Sequence, residues 1–151
     1  MDIIFSIDEV DLNEITGFEL GNISINKNEL QCTSLNRIPD QSMMIFITIS
    51  QLLNQIRSMI EKKEKTIIIN GVDSSYWIKI QYVNNLFIVS DDRCCIKKIN
   101  PAELIETVYI AALKFWEKYG NHIESDSVHF DFKNALEEYE ICMKRKFKLK
   151  R

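Results

Sequence analysis

The chain has 151 residues, of which 46% are hydrophobic and 27% charged, a composition typical of one globular domain with a single core. Four glycines and two histidines leave little material for a phosphate-cradling loop or a histidine-based site, so most classes of nucleotide-binding and zinc enzyme are disfavoured. The first eight residues carry acids where a signal peptide carries bases, so we expect a cytoplasmic protein with four free thiols.

The charge is distributed unevenly. Residues 144–151 hold six bases and no acid, which leaves 13 bases against 22 acids in the remainder of the chain. We therefore predict one acidic domain over residues 1–143 and a basic C-terminal tail over residues 144–151. An acidic surface attracts basic partners and repels nucleic acid.

The N-terminal third of the chain is predicted to begin with β-strands. Ile3, Phe5 and Ile7 alternate with Ile4 and Ser6 in a short strand-like run, and an acidic loop over 8–14 follows. Two further segments, 18–26 and 30–34, flank a turn-forming group at 26–28, so the pattern predicts a β-hairpin.

A long amphipathic helix is predicted over residues 41–63. Asp40 is placed to cap its first turn, and Pro39 prevents the helix from extending backwards. Polar residues interrupt the apolar run well before the roughly 20 residues that a membrane span needs. The apolar stripe at helical spacing consists of Ile45, Ile49, Leu52, Ile56 and Met59.

Strands resume after this helix. The β-branched run 66–69 predicts one strand, and 94–99 predicts another. Residues 76–83 and 86–90 flank Asn84-Asn85, a dipeptide that tolerates the positive φ angles of a two-residue hairpin turn. If Val83 faces Leu86, then Ile78, Ile80, Tyr82, Phe87 and Val89 share one apolar face, as in a sheet covered by helices on one side.

Two helices complete the predicted fold. Asn100-Pro101 is predicted to begin a helix, with the Glu103 side chain placed to bond back to the cap residue. Gly120 is predicted to end this helix in the left-handed conformation. A third helix is predicted from Asp131 onwards. The pattern indicates a single α+β domain with a largely antiparallel sheet, packed on one face against two or three helices.

Catalytic chemistry finds little support in the sequence. The spacing of His122, His129 and Cys142 matches no zinc pattern, and adjacent Cys94-Cys95 lacks the two-residue gap of a chelating loop. No nucleophile stands in a recognisable motif. We therefore predict no catalytic residue, no metal, no cofactor and no small-molecule substrate.

Polar and aromatic residues at strand ends are the candidates for binding a partner. An alternative interpretation is that the polar ones only form turns, and that an aromatic side chain there pads a helix. Tyr76 and Trp77 should point to opposite faces of their strand, so one of them should be exposed. The candidate residues are Asp73, Ser74, Ser75, Tyr76, Trp77, Asp91 and Asp92.

Three stretches of the chain together resemble a known group of proteins. They are Glu19–Ile25 (ELGNISI), Pro39–Phe46 (PDQSMMIF) and Gly71–Ser75 (GVDSS). Their order and separation resemble immunity proteins of contact-dependent growth inhibition and related polymorphic-toxin systems, in the group that protects against C-terminal nuclease toxin domains. The likeness covers roughly residues 15–90, and the Pro39–Phe46 string is its most specific part.

The resemblance implies a protein without an active site that binds a cognate nuclease toxin domain in the cytosol. A nuclease presents a basic surface to its nucleic acid, so an acidic inhibitor is complementary to it. In some members of the group the toxin is thought to add a hairpin to the sheet of the immunity protein. We expect such an edge at the hairpin around Asn84-Asn85 and at the neighbouring Asp73–Trp77 segment. No membrane and no direct nucleic-acid contact is expected. The alternatives are a small nucleic-acid-binding regulator that uses the basic tail, and a small enzyme.

Overall fold

The computed structural model describes residues 1–8 and 11–147. In it, segments with two-residue periodicity form strands, and segments whose apolar residues recur at helical spacing form helices. Within these residues the three α-helices are α1 (Ile45–Lys62), α2 (Pro101–Tyr119) and α3 (Ser127–Phe147). The strands are β1 (Asp2–Ile7), β2 (Leu20–Lys27), β3 (Leu30–Thr33), β4 (Met43–Met44), β5 (Thr66–Asn70), β6 (Trp77–Val83), β7 (Leu86–Ser90) and β8 (Cys95–Ile99). Leu12–Glu14 and Gly120–Ile123 form short 3₁₀ turns.

The strands form two antiparallel sheets. Sheet A has the order β1-β2-β3, with β4 also paired to β2, and sheet B has the order β5-β6-β7-β8. The predicted single α+β domain is confirmed. The eight strands divide between two four-stranded sheets, a detail that the sequence did not predict.

The β6–β7 hairpin has the register that the sequence predicts. Val83 faces Leu86, and Asn84 and Asn85 have φ angles of 52° and 65°, as a two-residue turn that follows the right-handed strand twist requires. Ile80 faces Val89, and both side chains are buried. The apolar face of the hairpin therefore belongs to the core.

Strands β1 and β2 approach each other closely at Gly21. A Cβ atom at this position would lie 2.1 Å from the carbonyl oxygen of Ser6 and 2.9 Å from the side chain of Ile45. Only glycine fits here without a backbone shift. The β2–β3 hairpin turns at Asn28, whose φ angle is 56°, close to the predicted turn.

Helix α1 begins at Ile45, four residues later than predicted. Met43 and Met44 pair with Gly21 and Leu20 of β2, so tertiary pairing takes residues that periodicity assigns to the helix. The prediction that Asp40 caps α1 is wrong. Its carboxylate accepts bonds from the amide and the hydroxyl of Ser42, at 3.0 and 2.9 Å, and closes a turn before β4.

The Asn100 cap of α2 is as predicted, but the predicted contact of Glu103 back to the cap and the predicted end of the helix are wrong. Asn100 Oδ1 accepts a bond from the Ala102 amide at 3.0 Å, whereas Glu103 reaches Lys27 and the N-terminal amine at 3.0 and 3.3 Å. Gly120 has φ −56° and ψ −40°, so the predicted left-handed stop is wrong. A Cβ there would lie 2.8 Å from the Trp116 ring, so close packing explains this glycine.

Helix α1 lies at the centre of the core, against α3, α2 and strands of both sheets. Phe46 in its first turn packs edge-on against Phe115 of α2 and Phe132 of α3, with ring centroids 4.9 and 6.1 Å away. Each such buried aromatic or aliphatic side chain contributes about 1.5–3 kcal/mol by leaving water.

Helix α3 begins at Ser127 and not at 131, because Val128 already packs into the core. It extends through Lys144, Arg145 and Lys146, so the predicted tail starts inside this helix. The last four residues of that tail, 148–151, lie outside the described residues, as do Glu9 and Val10 of the predicted acidic loop.

Candidate partner-binding surface

The first predicted cluster lies in the loop between β5 and β6. The Ser74 hydroxyl donates to the Gln41 carbonyl at 2.7 Å and accepts from the Tyr76 amide at 3.1 Å. Ser74 therefore holds the loop against the segment before β4. Asp73, with φ 58°, and Ser75 are exposed, so these two residues are accessible to a partner.

The second predicted cluster is largely internal. Asp91 is 7% exposed and Tyr76 is 2% exposed, and the Tyr76 hydroxyl donates to Asp91 Oδ2 at 2.8 Å. The interpretation of Asp91 and Tyr76 as surface contacts is therefore corrected. Asp92 remains on the surface, and Trp77 is half-buried.

Arg37 explains why Asp91 is buried, and this role of Arg37 was not predicted from the sequence. Its guanidinium donates to Asp91 Oδ2 at 3.1 Å and to Asp92 Oδ1 at 2.6 Å. Thr33 at the end of β3 donates its amide to Asp91 Oδ2 at 3.1 Å. We name Thr33, Arg37, Tyr76, Asp91 and Asp92 the polar seam, because they join the edge of sheet A to the β7–β8 turn of sheet B.

Electrostatics in the polar seam follow from burial and pairing. Burial, together with the hydrogen bond to Asp91, raises the pKa of Tyr76, which keeps its hydroxyl a donor. The hydrogen bond from Arg37 lowers the pKa of Asp92. Asp91 Oδ1 also accepts from the amides of Arg93 and Cys94, at 2.8 and 2.9 Å, so both oxygens of this carboxylate are satisfied. Such a network stabilises the sheet contact and offers no free group for chemistry.

One signal in the sequence pointed to Arg37. It is the only base between Lys27 and Arg57, and a lone base among apolar and small residues needs an acidic partner if it is buried. The sequence does not say which acid supplies that charge, because Asp91 is 54 residues away.

The hairpin around Asn84-Asn85 offers no unpaired edge. Its strands β6 and β7 are the two inner strands of sheet B, with β5 and β8 on either side. The expectation that a partner strand adds to this hairpin is therefore wrong.

The three stretches that carry the family resemblance lie against one another. Leu20 and Gly21 of the first pair with Met44 and Met43 of the second, and the Met44 amide donates to the Val72 carbonyl of the third at 2.9 Å. They form one structural unit around the start of α1. Their positions explain the strings by packing and do not identify contact residues.

A different surface combines exposed acids with exposed apolar side chains. The Gly17 amide donates to Asp126 Oδ2 at 2.9 Å, and a Cβ at Gly17 would lie 2.6 Å from Val128. This contact brings the segment before β2 against the start of α3. We name residues 11–20 and 121–131 the acidic junction. The two segments contain six acids and no lysine or arginine.

The acidic junction also presents apolar anchors. Phe130 is 63% exposed and Phe18 is 52% exposed, a large exposure for phenylalanine. Leu12 and Leu20 add to the exposed apolar area. Large apolar side chains among charges are typical of protein-binding surfaces.

A groove of about 350 Å³ between α1 and α3 begins at the acidic junction. Val128 and Asp131 of the junction line it, together with Gln51, Asn54 and Glu138 further along the helices. Arg57 stands at its far end, where it reaches Glu61 at 3.6 Å. The groove extends a polar surface away from the junction.

The residues considered for chemistry lie apart. His129 packs against Trp116, with ring centroids 4.8 Å apart, and Cys142 is buried further along α3. Across residues 1–8 and 11–147 no group of three or more potential ligands is arranged to hold a metal ion. None of the described helices is long and apolar enough to cross a membrane.

Comparisons with protein-family models, with curated proteins and with solved structures find no match to this chain.

Proposed function

We propose that this protein is an immunity protein that binds a cognate bacterial nuclease toxin domain and neutralises it without catalysis. The observation that carries the proposal is the acidic junction, which combines six acids and no lysine or arginine in its two segments with the exposed rings of Phe18 and Phe130. A nuclease domain presents the opposite charge, because its own substrate is a polyanion.

The two features of the junction have different roles in this proposal. Exposed acids attract a basic surface over several ångströms and raise the rate of association. The two phenylalanines supply area that leaves water on binding, and a few such anchors dominate the affinity of an interface. The rings of Phe18 and Phe130 and the carboxylates of Glu14 and Glu124 are exposed, whereas Asp126 also bonds to the Gly17 amide and so contributes to the fold.

The resemblance of the three stretches supports the same role independently of the acidic junction. In this proposal the stretches maintain the scaffold, and the junction, which lies mostly outside them, provides the contacts. Asp73, Ser75, Trp77 and Asp92 are accessible additional contacts. The cytoplasm is the proposed location, because a nuclease toxin acts on nucleic acid there.

The direct test is protection and binding with a toxin domain encoded beside this gene. Cells that produce the chain should survive this toxin and should die from an unrelated one. In isothermal titration, Phe130→Ala should weaken toxin binding by about 10- to 100-fold, the cost of losing an interface anchor.

A matched control lies on the same helix. Ile141 is 50% exposed and stands on α3 away from the acidic junction, so Ile141→Ala should leave the affinity within about twofold. Equal losses from both variants would contradict the assignment of the surface. Binding of duplex DNA by the chain, abolished by removing residues 144–151, would instead favour the nucleic-acid-binding regulator.

A further inference from the structure

The loop between β3 and β4 carries the most exposed large apolar side chain that the structure describes. Ile38 is 95% exposed, whereas the next, Phe130, is 63% exposed. We name residues 34–42 the Ile38 loop. Single apolar side chains are common on protein surfaces, so exposure alone does not assign a role to Ile38.

The Ile38 loop is fixed to the body of the protein on both sides of Ile38. On one side, Arg37 is buried and donates to the Thr33 carbonyl at 3.2 Å and to the two aspartates of the polar seam. On the other side, the Gln41 carbonyl accepts a bond from the Ser74 hydroxyl at 2.7 Å. These contacts hold the backbone of the loop in place while the Ile38 side chain points into solvent.

This arrangement distinguishes Ile38 from an exposed side chain on a flexible loop. A flexible loop loses conformational freedom when a partner orders it, and that loss reduces affinity. Because Arg37 and Gln41 are already fixed, most of the ordering at Ile38 occurs during folding and not on binding. The apolar area that Ile38 removes from water on binding then contributes to affinity with little opposing cost.

The surroundings of the Ile38 loop are acidic. The bonds made by Arg37 and Ser74 bring three segments together, 34–42, 71–75 and 91–93, which hold four acids and two bases. One of the two bases, Arg37, is buried in the polar seam. The exposed charged side chains of these segments are Asp40, Asp73, Asp92 and Arg93. An apolar side chain that projects among exposed acids is complementary to an apolar recess with a basic rim.

The Ile38 loop is connected to the acidic junction through β4. Met44, six residues after Ile38, pairs with Leu20, the last residue of the first segment of the junction. Six residues span at most about 22 Å, and paired strands lie about 5 Å apart. A standard interface buries about 800 Å² on each partner, a patch roughly 30 Å across. Ile38 and Leu20, which is 42% exposed, therefore lie within the reach of one partner domain.

We propose that the Ile38 loop is a second contact for the toxin domain, with Ile38 inserted into an apolar recess that has a basic rim. This assignment rests on the proposed function and adds to it a residue that determines specificity. A related toxin without the recess meets the fixed Ile38 as a steric clash, so the loop also discriminates between toxins. Arg37 is a positioning residue, since it is buried and acts through the loop.

Isothermal titration with the toxin domain encoded beside this gene tests the proposal. Ile38→Ala should weaken binding by about tenfold or more, whereas Ile38→Leu should keep the affinity within about threefold. Because Ile38 is almost fully exposed, Ile38→Ala should leave the melting temperature unchanged. Ile4 is a matched control, since it is 51% exposed on β1, at the opposite edge of sheet A, and Ile4→Ala should leave the affinity within about twofold.

A double-mutant cycle tests whether the anchoring of the loop matters. Ser74→Ala removes the bond to the Gln41 carbonyl and should weaken toxin binding by about threefold. Added to Ile38→Ala, the same substitution should have almost no further effect, because Ser74 acts through the position of Ile38. Additive losses from the two substitutions would contradict this anchoring role.

Wild-type affinity in both Ile38→Ala and Ile38→Asp would overturn the assignment of the loop. A fall in melting temperature that accounts for the lost affinity would assign Ile38 to the fold and would also overturn it. If Phe130→Ala still weakens binding in either case, the proposed function stands, because it depends on the acidic junction. A wild-type chain that binds no toxin would remove the proposed function, and the role of the Ile38 loop with it.

Discussion

The polar seam and the acidic junction use carboxylates in opposite ways. In the seam, Asp91 is buried and bonded on both oxygens, and its charge is matched by Arg37. In the junction, Asp11 and Asp126 bond to backbone amides, and no base stands in either segment. The difference shows that a count of charges does not separate acids that hold a fold together from acids that face a partner.

The physical basis of this difference is desolvation. Burying a carboxylate costs several kcal/mol unless a counter-charge and hydrogen bonds replace the water, so Asp91 and Arg37 tolerate burial only together. In the junction Asp126 also bonds to the Gly17 amide, whereas Glu14 and Glu124 are exposed, keep their water and should contribute little to stability. Under the proposed function these exposed acids are available to a basic partner.

The largest expected effect comes from breaking the seam. Asp91→Ala leaves the Arg37 guanidinium buried with only Asp92 as counter-charge, and it removes the acceptor of the Tyr76 hydroxyl and the Thr33 amide. We expect a loss of about 3–5 kcal/mol in the free energy of unfolding, measured by urea denaturation followed by tryptophan fluorescence.

Asp92→Ala is the matched control for this measurement. Its side chain is 48% exposed although it pairs with the same arginine, and exposed ion pairs contribute about 0–1 kcal/mol. Equal losses from Asp91→Ala and Asp92→Ala would show that the seam is not the buried network described above.

The second expected effect is on the rate of association with the toxin and comes from the acids of the junction, with the free energy of unfolding unchanged. Reversing Glu14 and Glu124 to lysine should slow association with the cognate toxin by about tenfold or more and should change dissociation much less. Raising the salt concentration should reduce the difference. Stopped-flow mixing measures both rates.

A control with the same change in net charge lies elsewhere on the surface. Glu29 and Glu106 are exposed and stand outside the junction, so their reversal should slow association only slightly. If both double variants slow association alike, the acidity of the chain acts as a whole and the junction has no special role. All four substitutions should change the free energy of unfolding by no more than about 0.5 kcal/mol each.

A smaller effect is expected on the free energy of unfolding at low pH. The hydrogen bond from Arg37 lowers the pKa of Asp92 below its ordinary value of 3.8. The stabilisation from this shift is present above that value and is lost as the pH falls through the lowered pKa. Because Asp92 is half exposed, its share is at most about 1 kcal/mol. Asp92→Asn should therefore reduce the slope of unfolding free energy against pH below about pH 4, and an unchanged slope would contradict the pairing.

The smallest effect is expected from the C-terminus. Met143 is the last residue whose side chain the structure describes as buried, and Lys144, Arg145 and Lys146 are exposed. Deleting residues 144–151 should change the free energy of unfolding by less than about 0.5 kcal/mol and toxin affinity by less than about twofold. A large loss in a thermal melt or a titration would show that the basic residues contribute to the fold or to the interface.

The sequence predicted those parts of the fold that depend on local chemistry. The Asn84-Asn85 turn with its register and the Asn100-Pro101 helix start need only neighbouring residues to form, so local rules describe them well. The division of the strands into two sheets was missed, because it depends on which distant strands meet. The same limit applies to Met43 and Met44, which β2 draws away from the predicted helix.

The candidate site was harder to predict than the fold. Asp91 was predicted to contact a partner, but it belongs to the interior because Arg37 reaches it from a distant loop. The acidic junction depends on a contact between Gly17 and Asp126, which are 109 residues apart. Sequence periodicity carries no information about such a pairing, so Phe18 and Phe130 were not selected as candidates.

The first turn of α1 has a consequence for the order of folding events. Met44, at the N-cap position just before the helix, provides no side-chain cap, and the amides of Met44 and Ile45 donate to the carbonyls of Val72 and Glu19. Bonds of such long sequence separation form only after the intervening loops have closed, at an entropic cost. The first turn of α1 therefore cannot form fully in an isolated helix. We infer that this turn becomes ordered late, when the two sheets meet.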